Sequence, residues 1–500
     1  MTRKKNNRIK EGDTMRKQTK VILSVIILLV LLAAAFAAVL YYRHEQEQNR
    51  AIHELNEQVI GLLEEENKQY ASEAQISGLE SRIEELESCY KKDMTESDPE
   101  DTVGTEPEEE SEEDLYGLDR TDGIEIPVFT EENMKAFDIP DNEALHFAAK
   151  LKAGWNLGNT FDAQDAGRGD PNRDYETYWC HAKTTKELIH AIKKAGFNTI
   201  RIPVSWHNHV SGINYRIDTA WLNRIKEVAQ WIVDEDMYFI INIHHDNSKD
   251  FMYPDNEHYE QSEEYVTAIW SQVAEAFAEF DDHCIFECMN EPRLVGSNYE
   301  WWLNQNAHEC QVAAECINRL NQKFVDTVRA SGGYNTNRYL LVPGYCGSVD
   351  GVLSALFRMP EDQAENRIMI EVHAYTPYNY ALNTNSSDSS FDLDRDTDKK
   401  NEIATFMTKL YKKYIANGIP VLIDEFGALQ KNSQDLQDRV NFAAYYVASA
   451  SARGMTCVWW DNHVFTGGGE KFGLIERNAV KWKYPDIALA ILWNCEFNRK

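Results

Sequence analysis

The chain has 500 residues and a formal net charge of −31, with 82 acidic residues against 51 basic ones. This acidity excludes nucleic-acid binding as a main role, because a phosphate backbone requires a basic surface. The nine cysteines follow no CxxC spacing, and several lie in apolar runs. We therefore expect buried free thiols, no zinc or redox site and no cofactor.

The first 42 residues predict a membrane anchor. Residues 1–20 carry eight Lys or Arg and two acids, and residues 21–40 are uncharged and apolar. A run of this length spans a bilayer as a helix. We predict a basic cytoplasmic tail over 1–20 and a transmembrane segment over 21–42, with everything after it outside the cell. The alternative is a signal peptide cleaved near Ala37, which would give a secreted protein.

Residues 43–92 are strongly charged and carry apolar residues at heptad-like spacing, which predicts a coiled-coil stalk and a possible homodimer. The two seams are out of phase and consist of Ile52, Leu55, Val59 and Leu62, then Ile76, Leu79, Ile83 and Leu86. The alternative is a solvated single helix without a partner. Cys89 lies in this stretch and would form an interchain disulfide in an oxidising environment.

Residues 93–123 predict an extended acidic linker. Residues 93–114 contain twelve acids and no base. Such a segment cannot bury a core, and its like charges repel one another. We expect it to hold the next domain away from the cell surface.

Residues 124–500 have the composition of a folded domain, in which strand-like runs alternate with helix-like stretches. This alternation predicts the α/β class and a closed (β/α)8 barrel, also called a TIM barrel. The predicted strands are 153–157, 199–202, 238–244, 284–288, 339–342, 368–373, 421–425 and 456–460. The clearer predicted helices are 185–195, 220–235, 263–280, 306–330, 401–416 and 436–451.

Polar residues follow many of these strands, where a parallel barrel carries its chemistry. Glu291 follows the fourth strand and Glu425 ends the seventh, and two such glutamates are what a retaining glycosidase needs. Other polar or aromatic residues at strand ends are Arg201, His244, His245, Asn290, His373, Tyr375 and Trp460. Because side chains alternate along a strand, we predict that His244 and Trp460 face the barrel mouth, and that His245 and Trp459 do not.

With these residues in place, residues 143–495 resemble glycoside hydrolase family 5, and in particular its endo-β-1,4-glucanases. The matching motifs are GWNLGNT at 154–160, RIP at 201–203, NIHH at 242–245, MNEP at 289–292, HAY at 373–375, DEFG at 424–427 and VWWD at 458–461. The resemblance implies that Glu291 is the acid/base and Glu425 the nucleophile of a retaining endo-β-1,4-glucanase. It does not extend to residues 1–142.

Supporting roles follow from the same arrangement. Arg201 and Tyr375 are expected to keep Glu425 ionised, whereas the pKa of Glu291 is expected to be raised. Asn290 is expected to hydrogen-bond the sugar 2-hydroxyl. The remaining candidates are His244 and His373 as orienting groups, Trp460 as a sugar-stacking ring, and Asn156 and Trp206 as cleft-lining residues. We interpret Glu287 and Asp424, which lie within strands, as structural.

Three alternatives stay open. The same catalytic residues serve xyloglucan, mixed-linkage glucan, glucomannan and mannan. A surface carbohydrate-binding protein without turnover is a second reading, which the intact Glu291 and Glu425 disfavour. A metal-dependent barrel hydrolase is suggested only by His244-His245, and adjacent strand residues that point apart make a poor metal pair.

Overall fold

The computed structural model describes residues 118–498. The predicted tail, anchor and stalk, and nearly all of the linker, lie outside this range and stay predictions. Within residues 118–498, no helix is both long and apolar enough to span a membrane.

The described chain folds around a closed barrel of eight parallel strands, as the sequence predicts. The strands are β1 Ala153–Leu157, β2 Thr199–Ile202, β3 Tyr238–Asn242, β4 Cys284–Glu287, β5 Leu340–Val342, β6 Ile368–His373, β7 Val421–Phe426 and β8 Thr456–Asp461. Each strand pairs with its sequence neighbours, and β1 closes the barrel by pairing with both β2 and β8. Predicted and observed ends differ by at most two residues, the largest difference being at β3, which ends at Asn242.

The main helices surround the barrel or close its ends. They are α1 Glu143–Lys150, α2 Lys186–Ala195, α3 Thr219–Asp234, α4 Tyr259–Ala276, α5 His308–Ala330, α6 Thr397–Lys413, α7 Leu436–Ser451 and α8 Pro485–Asn494. Shorter helices are Tyr175–Tyr178, Val349–Leu353 and Tyr378–Ala381, and the 3-10 turns are His207–His209, Gly333–Thr336, Tyr345–Gly347 and Ile415–Asn417. Two small antiparallel ribbons pair Val210–Ser211 with Arg216–Ile217 and Ile475–Glu476 with Lys481–Trp482.

Local signals in the sequence set where helices begin and end. The Thr185 side chain accepts a hydrogen bond from the Leu188 amide and begins α2, and Gly196 ends it at a φ of 109°. Asp218 caps α3 in the same way through the Trp221 amide. These residues satisfy backbone groups that a helix end leaves unpaired.

The barrel interior is built in layers because inward-facing residues recur every second position. The lower layer is apolar and packs against α1, and its strand residues are Ile240, Ile285, Leu341, Met369 and Leu422. Two positions further along four of these strands lie Asn242, Glu287, Glu371 and Asp424, all fully buried. The strand period therefore places a polar layer directly above an apolar one, nearer the barrel mouth.

A bulge in β7 lets consecutive acids point inward. Val372 of β6 is paired with Ile423, but the next residue, His373, is paired with Glu425, so β7 has one extra residue at Asp424. The pairing of β7 with β8 shifts in the same region. A bulge redirects side chains in this way, and it brings both Asp424 and Glu425 into the interior.

The eight cysteines in residues 118–498 are all buried, as predicted. Free thiols are present at Cys180, Cys284, Cys288, Cys310, Cys316 and Cys346. Cys89 lies outside the described residues.

Candidate active site

A single buried arginine organises the polar layer. Arg201 donates two hydrogen bonds to Glu287, at 2.6 and 2.7 Å, and one to Glu425 Oε1 at 2.8 Å. It also donates to Asn290 Oδ1 at 2.7 Å and to Asn156 Oδ1 at 3.0 Å. The planar guanidinium matches a carboxylate with two parallel bonds. Arg201 therefore orients the predicted nucleophile from β7 and the predicted sugar-binding amide after β4.

The two predicted catalytic carboxylates meet at His373. Its Nδ1 lies 2.7 Å from Glu291 Oε1 and 3.5 Å from Glu425 Oε2. Oxygens of Glu291 and Glu425 lie within 4.8 Å of one another. The Tyr375 hydroxyl donates to Glu425 Oε2 at 3.1 Å, so Glu425 receives hydrogen bonds at both oxygens.

The protonation of Glu291 in this site differs from the expectation that its pKa is raised. Burial raises the pKa of Glu291, but the hydrogen bond and positive charge of His373, with Arg293 nearby, outweigh it and bring that pKa to about 2. Burial lowers the pKa of His373, yet the charge of Glu425 and the hydrogen bond to Glu291 raise it to about 9. The prediction of a raised pKa for Glu291 is wrong for this structure, because the shared proton resides on His373.

For Glu425, burial raises the pKa and outweighs the opposing charges of His373 and Arg201. The predicted nucleophile therefore has two cationic neighbours that stabilise its ionised form, although burial of the carboxylate opposes ionisation. Burying a carboxylate in this way is tolerable only because it is paired and hydrogen-bonded.

Two further acids in the polar layer hold protons. The oxygens of Glu371 and of Asp424 are buried and accept no hydrogen bond. Burial and then the charge of Glu287 raise the pKa of Glu371 well above its usual range and that of Asp424 to about 8. Arg201 already pairs with Glu287 and Glu425, so its charge does not ionise these two acids as well.

We expect the fold to lose stability as pH rises from about 5 to 9. His373 has a pKa of about 9 in the fold, against an ordinary 6.5, and Asp424 has about 8 against 3.8. Both groups bind their protons more tightly in the folded chain, so alkali favours unfolding. The pKa of Glu291 is lowered to about 2, so its contribution to the stability of the fold is lost only when the pH falls below 4.5 toward 2.

The measurement is the melting temperature across this pH range for the wild type and for Asp424→Asn. The amide imitates the neutral acid and removes one titrating group, so the variant should show the shallower decline. A melting temperature that rises from pH 5 to 9, or equal slopes in both proteins, would contradict the proton assignments.

The two histidines that follow β3 do not point to opposite faces, as side-chain alternation along a strand had predicted. Because β3 ends at Asn242, His244 and His245 lie beyond the strand, and their ring centroids are only 4.4 Å apart. His244 is buried and stacks parallel to Trp460, with centroids 5.8 Å apart, and its Nδ1 lies 3.1 Å from the Asn242 amide. His245 faces Trp179. The expectation that the two histidines point apart is therefore wrong.

Two other predicted residues lie deeper than expected. Trp206 is fully buried, and its indole donates to the Asn242 carbonyl at 2.8 Å. Asn156 is also fully buried and donates to the Asp424 carbonyl at 2.8 Å. Neither lines a cleft, and each supports the strands beneath the site. The side chain of Trp460 is 8% exposed, whereas that of Trp459 is fully buried. This difference agrees with the prediction that Trp460, and not Trp459, faces the barrel mouth.

Sequence reasoning missed Arg293 and the role of Glu371. Arg293 Nη1 lies 3.4 Å from Glu291 Oε2, and its guanidinium stacks on the ring of Trp301 at 4.1 Å. The only signal for Arg293 is its position directly after Pro292. Glu371 lies two residues before His373 on β6, so the strand period alone places it on the same face.

Several acid and histidine groups in residues 118–498 are close enough to share a cation. Two of these groups contain His373, one with Glu291 and Glu425 and the other with Glu371 and Asp424. His373 holds a proton at neutral pH and Arg201 contacts Glu425, so positive charge already balances the first group. In the second group, Glu371 and Asp424 hold protons and are neutral. A third group joins Asp162, His244 and His245, but both oxygens of Asp162 accept backbone hydrogen bonds. The pair of carboxylates needs no metal for its chemistry.

Eight parallel strands with two close carboxylates at the ends of β4 and β7 define a barrel glycoside hydrolase. The family model described as "Cellulase (glycosyl hydrolase family 5)" matches residues 163–466. The chain belongs to this family.

Similar proteins and solved structures agree with this family assignment. Endoglucanase A of Ruminococcus albus is 40% identical over 361 residues, which cover 72% of this chain and 94% of that protein. A mutant glycoside hydrolase 5 lichenase from Caldicellulosiruptor sp. F32, in complex with cellotetraose, is 50% identical with a TM-score of 0.72, covering 74% of this chain and all of that one. A broad-specificity endoglucanase from Ruminococcus champanellensis with bound cellotriose is 39% identical with a TM-score of 0.65, covering 71% of this chain and 100% of that one.

Proposed function

We propose that the chain is a retaining endo-β-1,4-glucanase in which Glu425 is the nucleophile and Glu291 the acid/base. The observation that carries this is the separation of the two carboxylates, whose oxygens lie within 4.8 Å of one another. Retaining enzymes place these groups about 5–5.5 Å apart, and inverting enzymes about 6.5–9.5 Å apart to admit a water. Direct attack by Glu425 on the sugar is therefore favoured.

In the first step, a Glu425 oxygen forms a bond to the anomeric carbon, and the bond from that carbon to the leaving oxygen breaks. The leaving oxygen takes its proton from Glu291, which in turn takes the proton from His373 Nδ1 across their 2.7 Å hydrogen bond. As Glu425 becomes a neutral ester, His373 loses the negative neighbour that contributes most to its raised pKa. Proton release from His373 thus becomes easier as attack proceeds.

In the second step, water attacks the anomeric carbon and the ester bond to Glu425 breaks. Glu291, now an anion, accepts the water proton, which restores the shared proton of Glu291 and His373. Asn290 is held by Arg201 through its Oδ1, which leaves its amide nitrogen as the donor for the sugar 2-hydroxyl. Trp460 and His244 form the stacked ring pair beside the attacked sugar.

The substrate we propose is a β-1,4-glucan of the cellulose type. The neighbours with bound cellotetraose and cellotriose support a cleft for such chains, and the neighbour named a lichenase supports including mixed-linkage glucan among the substrates.

The test is a product profile on carboxymethylcellulose, mixed-linkage glucan, xyloglucan and glucomannan, with the anomer followed by NMR. A β-anomer as the first product of a β-1,4-glucan is expected. A first product in the α configuration would overturn the double-displacement mechanism, and cleavage of mannan alone would overturn the glucan assignment. No cleavage of any glycan by folded protein would favour the binding-protein alternative.

We further propose that residues 21–42 anchor the enzyme in the cell membrane as a single span, with the catalytic domain outside and residues 43–92 forming a stalk. The uncharged run with its basic flank supports the anchor. The same glucanase assay on separated membrane and soluble fractions checks it. Activity should follow the membranes and be released by protease from intact cells, whereas activity only in the medium would indicate a cleaved signal peptide.

A further inference from the structure

An exposed tryptophan lies beside the acid/base, on the side away from the nucleophile. Trp301 is 55% exposed, and it lies in the loop between β4 and α5, which also carries Glu291. The Arg293 guanidinium lies 4.1 Å from the Trp301 ring centroid. Arg293 also contacts the Glu291 carboxylate and, at 3.5 Å, Glu300. One face of the indole is thus held by a cation, and the remainder of the ring stays open.

The contacts of Glu291 show which part of a substrate this ring would meet. Its Oε1 faces His373 and Glu425, and its Oε2 faces Arg293. In the proposed reaction the attacked sugar lies over Glu425, and Glu291 protonates the oxygen of the departing sugar. The departing sugar therefore extends past Glu291, away from Glu425, toward Arg293 and Trp301.

We propose that the open face of Trp301 is a stacking platform for glucosyl residues of the leaving group. The proposal rests on the glucanase function above. Pyranose rings present apolar C–H faces that suit an aromatic ring. The cation–π contact with Arg293 orients the indole before substrate arrives, so less ordering is needed on binding. The same ring would bind an acceptor sugar that replaces water in the second step.

The test starts from β-cellobiosyl fluoride, because fluoride is a leaving group without a sugar ring. With cellobiose added, the glycosyl-enzyme partitions between water and this acceptor. In transfer, the ester bond to Glu425 breaks, a bond forms from the anomeric carbon to the acceptor 4-oxygen, and the hydroxyl proton goes to Glu291. Both routes use Glu291 as the base. Hydrolysis yields cellobiose, the same compound as the acceptor, so it is counted as fluoride released minus cellotetraose formed. The ratio of cellotetraose to this hydrolysis reports acceptor binding and cancels changes in Glu291 itself.

For the full-length Trp301→Ala variant we expect fluoride release close to the wild-type rate. We expect the transfer ratio to fall about tenfold, the range for losing an aromatic contact. Trp302→Ala is the matched control, because this neighbour is 66% exposed but has no stacking contact with Arg293. Its ratio should stay within about twofold of wild type, and Trp301→Phe should restore most of the ratio.

Each outcome separates the platform from the enzyme function. A wild type that neither releases fluoride nor cleaves glucan would overturn the glucanase assignment. An active wild type with an unchanged ratio in Trp301→Ala, or an equal fall in Trp302→Ala, would overturn the platform alone. If Trp301→Ala does not fold, Trp301→Leu replaces it, since leucine retains apolar cover over Arg293 without an aromatic face.

Discussion

Substitution of Glu425 by Gln is expected to lower glucan hydrolysis by a factor on the order of 10⁴ or more, the scale seen when a nucleophile is removed. The amide retains the shape and the contacts to Arg201 and Tyr375 but cannot form the glycosyl ester. Initial rates on soluble glucan, with circular dichroism and melting temperature as checks of folding, measure the effect.

A matched control is Glu371→Gln, which alters another buried acid one strand away. Because Glu371 carries its proton in the fold, its amide should leave activity nearly unchanged. Glu291→Gln should lower glucan hydrolysis by about 10²–10⁴, yet it should still form the glycosyl-enzyme from β-cellobiosyl fluoride, which needs little acid assistance. Near wild-type glucan hydrolysis by folded Glu425→Gln would refute the nucleophile assignment, and an equally severe loss in Glu371→Gln would refute its neutral state.

Replacing Arg201 by Met is expected to destabilise the fold by about 3–5 kcal/mol, the usual cost of leaving buried charges without their partner. The substitution leaves Glu287 and Glu425 uncompensated, and it removes the donors to Asn290 and Asn156. Activity should also be lost, because Glu425 is no longer oriented. Chemical denaturation and activity measured on the folded fraction report the two effects separately.

The control for Arg201→Met is Arg395→Met, which breaks an ion pair between Arg395 and Asp392 at the surface. Exposed pairs are screened by water and contribute little, so this variant should unfold like wild type. Equal stability of the two variants would show that Arg201 is not the neutralising centre of the barrel. Arg201→Lys should recover part of the stability but little activity, because an ammonium cannot hold two carboxylates and two amides in one plane.

Much of the fold could be predicted because the signals are local. The eight strands are short apolar runs, buried on both faces as parallel strands are, and residues such as Thr185, Gly196 and Asp218 mark helix ends. The catalytic candidates could be predicted because a parallel barrel collects its strand ends at one face. Glu291 and Glu425, separated by 134 residues in the chain, were therefore expected to meet.

Other features depended on contacts between strands. The predicted alternation of side chains was wrong at His244 and His245, because β3 ends two residues earlier than predicted. It also failed at Asp424 and Glu425, where a bulge in β7 turns both acids inward. A bulge is decided by the register of neighbouring strands, which periodicity in one strand does not contain. Trp206 and Asn156 were placed too near the surface for a similar reason, since burial depends on what packs above them.

The sequence by itself predicted the barrel and its eight strands, and it placed Glu291 and Glu425 at strand ends as catalytic candidates, because these follow from local periodicity and chain order. Only the tertiary structure decided where the protons lie. The pKa values of Glu291, His373 and Asp424 are set by burial and by charges brought from other strands within a few ångströms. It also decided that Arg293 and Trp301 lie on the far side of Glu291. Electrostatic interactions in a low-dielectric interior depend steeply on distance, and such distances exist only once the barrel has closed.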